Sequence, residues 1–464
     1  MPEHAFDAGG AGRHFGLSQK RVEPAESKSE SPPSQEAAHG AVSQLADHLF
    51  RHEAAKLVSV LTRIFGIERL DFAEDIVQET LARALQTWPY YGVPKNPAAW
   101  LTQAAKNLAL DQIRREKLFR DKEQQIIASF EQWSSDVETE SPQFENEIKD
   151  GRLRLMFACC HPSIPLEAQT ALALKTLCGF SPAEIAKAFL TSEAAIAKRL
   201  TRAKQRIREL KIAFEIPAGE HLGERLEAVL QTVYLLFNEG YKASSGDHLI
   251  RAELCSEAIR LGVLLAEHPA TSLPRTHALL ALMLLNGARS PARTDADGNI
   301  LRLKEQDRSR WDAEMIARGI RHLGRSAGGS DLSDYHLQAG IAAVHCTAAD
   351  YQSTDWPRIL SLYDQLIKID NSPVVALNRA VAIGQVHGPR AGIEVIAAIS
   401  NRSALESYYL LYSVLAEFEM QLHDFRGAAE KLRKAIALTE TKSERALLAQ
   451  RLRECDEQAV FARK

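Results

Sequence analysis

After Ala41 the apolar residues of this chain recur at three- and four-residue spacing almost without interruption, as at Val77, Leu81, Ala84 and Trp88. That period belongs to helices with one buried face. Ala, Leu, Glu, Arg and Gln dominate, and the two-residue alternation of a half-buried strand is rare. The expected fold class is therefore all-α, and strand-rich folds are excluded. Residues 1–40 do not share the pattern. They are rich in Gly, Ser, Pro, Glu and His, and SKSESPPSQE has no apolar face to offset the entropy of ordering. A disordered N-terminal extension is expected there.

The breaks in the helical pattern divide the rest. A first helical block covers 41–122. An acidic linker, 123–150, follows; between Glu131 and Glu147 it holds Glu131, Asp136, Glu138, Glu140, Glu145 and Glu147 and neither Lys nor Arg. A second block spans 151–214. A short break at IPAGE, Ile216–Glu220, opens a long helical region, 215–464. The two blocks, each with its own apolar faces, are expected to fold without that region. For 464 residues this is within the usual two to four domains.

The C-terminal region contains a weak repeat. LNRAVAI (Leu377–Ile383) aligns with LYSVLAE (Leu411–Glu417) at an offset of 34. PRAGIEVIAAI (Pro389–Ile399) aligns with RGAAEKLRKAI (Arg426–Ile436) at an offset of 37. A period near 34 built from helix–turn–helix units is what tetratricopeptide arrays show, with Lys442–Glu457 as a capping helix. A non-repetitive helical bundle is the alternative.

The most informative segment is SPAEIAKAFLTSEAAIAKRLTRAKQRIREL, Ser181–Leu210. Ser181 caps, Pro182 starts and Glu184 closes a capping box for a short helix. Ile185, Ala186 and Phe189 form its inner face. After a turn at Leu190–Thr191, Ser192 caps a second helix with Ile196, Leu200, Ala203 and Ile207 inward. This is a helix-turn-helix pattern, whose second helix enters a major groove. Leu190 stands where many such turns have Gly. The outer face carries Lys198, Arg199, Arg202, Lys204, Arg206, Arg208 and Lys211. The whole chain has a net charge of -3, so this basic stripe is local. It can neutralise phosphates and release counterions. Ser192, Glu193, Ala194 and Ala195 would lie nearest base edges.

With the residues laid out, Ile164–Leu210 resembles region 4 of a bacterial RNA polymerase sigma factor of the extracytoplasmic-function type. DFAEDIVQETLARALQTWPY (Asp71–Tyr90) resembles region 2.2, and NPAAWLTQAAKNLALDQIRREK (Asn96–Lys117) resembles regions 2.3–2.4. The resemblance implies promoter-specific initiation by a dissociable subunit of core RNA polymerase, with contacts to the β′ clamp and the β flap. It implies a polymerase-contacting face of Glu74, Asp75, Gln78, Glu79 and Arg83. Phe72, Ile76, Val77, Leu81, Ala84, Leu85 and Trp88 would be buried on the opposite side, with Asp71 and Glu74 opening the helix as a capping-box-like pair.

It implies further that Trp100, Lys106, Asn107, Arg114 and Arg115 engage the −10 element, with Trp100 divided between stacking and core packing. Ser192, Glu193, Ala194, Ala195, Lys198, Arg199, Arg202 and Arg206 would engage the −35 element. The acidic linker would thread polymerase channels or serve as a solvated tether. SPVVALNRAVAIGQVHGPRAG (Ser372–Gly392), DWPRILSLYDQLI (Asp355–Ile367), LLFNEGY (Leu235–Tyr241) and DRSRWD (Asp307–Asp312) resemble a subgroup with a tetratricopeptide-type C-terminal extension. That suggests control built into the chain and makes a small YCII-related protein a conceivable partner.

No cofactor or metal is expected. Cys159-Cys160-His161 cannot converge on one ion, no zinc-spaced second pair follows, and Asp295-x-Asp297-Gly298-Asn299 lacks the later ligands of a calcium loop. The six cysteines are scattered and no apolar run approaches the ~20 residues that span a bilayer, so a cytoplasmic protein without membrane partners is expected. No catalytic motif is present. Two rivals stand beside the sigma reading: a polymerase-independent helix-turn-helix regulator with a tetratricopeptide sensor, and an enzyme within Glu220–Arg325.

Overall fold

The computed structural model describes residues 53–115, 128, 150–189, 191–210, 219–242, 250–295, 299–329, 331–439 and 441–461. The N-terminal extension, nearly all of the acidic linker, Leu190, most of the IPAGE break, and Asp297 with Gly298 lie outside these. Among the described residues the regular elements are helices, joined by one isolated β-bridge between Thr294 and Ile300.

Helix α1 (53–65) runs into a 3-10 turn, Ile67–Arg69, and then α2 (Leu70–Tyr91). Gly66, at φ +88°, makes that turn in the left-handed region. Asn96 caps α3 (Pro97–Arg115) by accepting from the Ala99 amide at 3.1 Å. Trp88 and Trp100, ring centroids 5.6 Å apart and edge-on, close α2 and α3 into a hairpin.

The second block begins with α4 (Gly151–Cys159), capped by Asp150, and α5 (Leu166–Leu177). Nine of the twelve α5 residues are buried. A helix buried on all sides must be central, and α5 packs on α4, α6 (Pro182–Ala188), α7 (Glu193–Leu210) and α8 (Gly219–Tyr241). The long region continues as α9 (Ala252–Glu267), α10 (Pro274–Gly287), α11 (Ala313–Ser326) and α12 (Asp334–Thr347). Helix α10 is its apolar centre, touching α8, α9, α11 and α12.

One hydrophobic core runs from Leu57 in α1 to Ala343 in α12. Residue 215 therefore marks no boundary in the core, because α8 packs directly on α4 and α5. Helix α8 thus adds to the apolar cover of α4 and α5, which does not decide whether the first two blocks can fold without it.

Beyond α12 come α13 (Trp356–Ile369), α14 (Pro373–His387), α15 (Pro389–Ala397), α16 (Tyr409–Gln421), α17 (Phe425–Leu438) and α18 (Lys442–Phe461), each packed on the next. The aligned stretches fall on corresponding helices, LNRAVAI on α14 and LYSVLAE on α16, PRAGIEVIAAI starting with α15 and RGAAEKLRKAI on α17. Phe418 of α16 is buried at the joint of the α14–α15 hairpin, where Gly384 and Gly392 leave room for its ring.

Candidate nucleic-acid interface

The short helix α6 forms as its residues dictate. The Ser181 hydroxyl accepts from the Glu184 amide at 3.2 Å, and the Ser181 amide donates to the Glu184 carboxylate at 2.7 Å, which completes the capping box. Ile185 and Ala186 are buried. Ser192 caps α7 through the Ala195 amide at 3.3 Å, and Ile196, Leu200, Ala203 and Ile207 are all buried. These anchors fix the rotation of α7 and so decide what its outer face presents.

Most of that face is open. Ser192, Glu193, Ala194, Lys198, Arg202 and Arg206 are exposed and Ala195 is half-buried. Arg199 turns aside, its guanidinium 2.7 Å from Glu167 and 6.0 Å from the Phe189 ring centroid. The basic stripe is narrower than its sequence suggests. Lys204 points back into the protein, with its ammonium donating to Asp71 at 2.7 Å and Glu74 at 2.6 Å. Partial burial pulls its pKa down, but the two carboxylates outweigh that and leave it raised. Arg208 reaches Asp71 at 3.6 Å.

On α2, Asp75, Gln78, Glu79 and Arg83 are exposed, with Glu79 and Arg83 paired at 3.1 Å. Glu74 does not share their face. It is buried, bound by Lys204 and by the Thr176 hydroxyl, which donates to it at 2.8 Å. The reason is position: residue 74 precedes the outward stripe by one place and faces α5 and α7. Leu85, expected to be buried, is 49% exposed. Asp71 does not cap α2 either. The helix continues from the 3-10 turn, its N-cap is Arg69, and the Asp71 carboxylate is taken by Lys204.

On α3, Trp100 is half-buried against Trp88 and the core. Lys106 is half-buried, Asn107 is exposed and accepts from Gln103 at 2.9 Å, and Arg114 is exposed, 3.9 Å from Asp111. Arg115 ends the helix; its side chain is outside the described set.

Other polar junctions tie this site to the C-terminal helices. Arg251 bridges Glu184 of α6 at 3.0 Å and Glu239 of α8 at 3.2 Å. Arg152 of α4 meets Glu257 of α9 at 2.7 Å, and Arg260 of α9 meets Asp150 at 2.7 Å. Arg225 of α8 donates to the Phe157 carbonyl at 3.0 Å. Sequence reasoning missed all of these, since partners on separate elements, most of them 67 to 110 residues apart, leave no mark in periodicity or spacing.

Among the described residues, no group of three or more His, Cys, Asp and Glu could hold a metal ion, and no helix is long and apolar enough to cross a membrane. Cys159 and Cys160 are buried, and burial pushes both thiols up.

Three known families match along the chain: Sigma-70 region 2 over residues 49–119, Sigma-70, region 4 over 154–207, and a family of unknown function (DUF6596) over 225–327. Helices α2 and α3 fall in the first, α6 and α7 in the second. An uncharacterized protein of Rhizobium meliloti, R00370, is 37% identical over 401 residues, covering 85% of this chain and 92% of its own. The ECF RNA polymerase sigma factor SigL of Mycobacterium tuberculosis is 33% identical over 137 residues, 29% of this chain and 72% of SigL. The ECF RNA polymerase sigma factor SigE of Mycolicibacterium smegmatis is 27% identical over 35% of this chain and 60% of SigE. No solved structure matches.

Proposed function

The chain belongs to the extracytoplasmic-function family of RNA polymerase sigma factors, and from that premise we propose how its surfaces divide the work. The exposed face of α2, Asp75, Gln78, Glu79 and Arg83, contacts the β′ clamp of core polymerase. Helix α7, with Lys198, Arg202 and Arg206 on phosphates and Ser192 to Ala195 at base edges, reads the −35 element. Lys106, Asn107, Arg114 and Arg115 of α3, with the open edge of Trp100, engage the −10 element. The observation that carries the reading is the outer face of α7: a capped, buried-face helix whose cations at 198, 202 and 206 are all exposed. Arginine and lysine so placed supply phosphate contacts, and the residues before them the base contacts. Catalysis belongs to polymerase, and the chain acts in the cytoplasm where polymerase and promoter meet.

The C-terminal helices, tetratricopeptide-like in their paired repeat, regulate initiation by holding the sigma blocks. Shared packing of α8 with α4 and α5, and the Arg251–Glu184 and Arg152–Glu257 pairs, support that coupling. They are needed for full activity. A YCII-related protein is left out, since neither the fold nor the relatives speak for it.

The test is association of the purified chain with core polymerase, comparing the wild type with Asp75→Lys plus Glu79→Lys. Both residues are exposed, so stability should stay within ~0.5 kcal/mol. Binding should weaken at least tenfold. Undiminished binding by the double variant would remove this face from the contact. Tight binding of the free chain to duplex promoter DNA, with no affinity for polymerase, would point to a polymerase-independent regulator.

A further inference from the structure

We infer that Arg318, Arg321 and Arg325 of α11 form a second DNA-contacting surface, which holds phosphates of the duplex upstream of the −35 element. The upstream placement rests on the sigma-factor reading. The affinity for phosphates rests on the helix face alone.

The rotation of α11 is fixed from behind. Gly319 lies against α10, where a Cβ would stand 2.8 Å from the Leu285 side chain, and Met315, Ile316 and Leu323 pack on the main core. At about 100° per residue, positions 318, 321 and 325 then fall within about 60° of one another on the solvent side. Arg321 and Arg325 are exposed and Arg318 is half-buried. From Arg318 to Arg325 is about 10 Å at the helical rise. Over that length one strand of a duplex presents about three phosphates, spaced ~3.4 Å along its axis.

The charge on this face has no internal partner. Elsewhere in the C-terminal helices arginines meet carboxylates, as Arg251 meets Glu184, Arg260 meets Asp150 and Arg451 meets Glu417. Among the described residues, no hydrogen bond or ion pair engages the side chains of Arg318, Arg321 and Arg325. Glu314, in the first turn, is the acidic residue of α11 and pairs with none of them. The imidazoles beneath sense the same field. His322 stacks on His277 of α10, with ring centroids 5.2 Å apart and Nδ1 atoms 3.0 Å apart. Burial, then His277 and the three arginines, push the His322 pKa down to about 4.

Duplex DNA is the partner this charge fits, because in the sigma reading α7 already holds it nearby. Helix α7 packs on α5, α5 on α8, α8 on α10 and α10 on α11. Four steps of ~8–10 Å put the axes of α7 and α11 at most about 40 Å apart, about 12 base pairs of duplex. The buried faces of α7 and α10 belong to one core, which fixes that separation. Downstream of the −35 element the duplex runs to α3 and the −10 element, so the upstream side is the one left to α11. Phosphate contacts carry no sequence; they add affinity and orientation to what α7 reads.

The test measures binding of core polymerase carrying the full chain to two promoter fragments. One ends at the upstream edge of the −35 element, and the other reaches about two helical turns further. The triple variant Arg318→Gln, Arg321→Gln and Arg325→Gln should bind the short fragment like the wild type and the long one less tightly. Comparing the two fragments cancels whatever polymerase itself contributes upstream. On the long fragment alone, three lost phosphate contacts should lower the salt slope by ~2.7, so the wild-type advantage shrinks about 40-fold from about 50 to 200 mM salt. Lysine at all three positions should keep most of that advantage, because a phosphate accepts a point charge. The free chain on a duplex of random sequence should show the same fall in slope. Equal melting temperatures of the two chains verify that the fold is kept. Equal salt slopes on the long fragment would overturn the inference, as would a loss equal on both fragments. Equal slopes with lost transcription in a whole-cell extract would overturn it in favour of an acidic protein partner. A fall in slope on the random duplex, with no form binding polymerase, would keep the phosphate surface and overturn its upstream placement together with the sigma reading.

Discussion

Replacing Glu257 by Gln tests whether the C-terminal helices are fused to the recognition block or merely follow it. Glu257 of α9 receives Arg152 of α4 at 2.7 Å and two nitrogens of Arg260 at 2.8 Å. The Arg152 and Glu257 side chains are only 8% and 16% exposed. Burial pushes the Glu257 carboxyl up, but Arg260 and Arg152 outweigh it and hold it at about 2, against an ordinary 4.5. That difference caps the ionic contribution at roughly 3 kcal/mol, and breaking a buried pair costs ~3–5 kcal/mol. Because Arg260 keeps Asp150 at 2.7 Å, the loss expected for Glu257→Gln is about 2–3 kcal/mol, a fall in Tm of roughly 3–5 °C for a cooperative unit of this size. Guanidinium melts followed by circular dichroism measure it.

The pH dependence carries the same signature. A depressed carboxyl stabilises the fold above its unfolded value of about 4.5 and loses that contribution as pH falls toward about 2. The wild type should therefore lose its advantage over Glu257→Gln across that window and show a constant one from pH 5 to 8. Arg152→Met with Glu257→Leu, which fills the junction with apolar volume, should cost less than Glu257→Gln alone. A loss below about 0.5 kcal/mol for Glu257→Gln would show the junction to be solvated and the coupling argument unsound.

Two further outcomes follow from single contacts. Lys198→Ala with Arg202→Ala should leave polymerase binding intact but flatten the salt dependence of promoter binding by the holoenzyme by ~1.8 log units per log unit of salt; an unchanged slope would remove these cations from the phosphates. Gly392→Ala sets a methyl 2.6 Å from the Phe418 ring, so it should destabilise the α14–α16 joint by about 1–3 kcal/mol, visible as a lower melting temperature; a neutral result would mean that the joint relaxes freely.

How much of this was written in the sequence depended on range. Most of what is set within one or two helical turns was legible: the Ser181–Glu184 capping box, the Ser192 and Asn96 caps, and the buried stripe Ile196, Leu200, Ala203 and Ile207; the Asp71–Glu74 start of α2 was not, because the helix continues from a 3-10 turn with Arg69 as its N-cap. Local hydrogen bonding and helical period determine these. What packs against an outward face was not legible. Glu74 and Lys204 read as exposed charges on separate helices, yet each neutralises the other across 130 residues. The core joining α4 and α5 to α8 was equally silent, because an apolar stripe names no partner. Leu85 shows the converse, an apolar residue assigned to the buried side that the fold leaves in solvent.

Run-off transcription with purified core polymerase over a genomic promoter library tests the central claim most directly. The full chain should direct initiation from a small set of promoters sharing one −35 and one −10 sequence, and Lys198→Ala with Arg202→Ala should abolish it. Transcription no greater than that of core polymerase alone, on every template, would contradict the account.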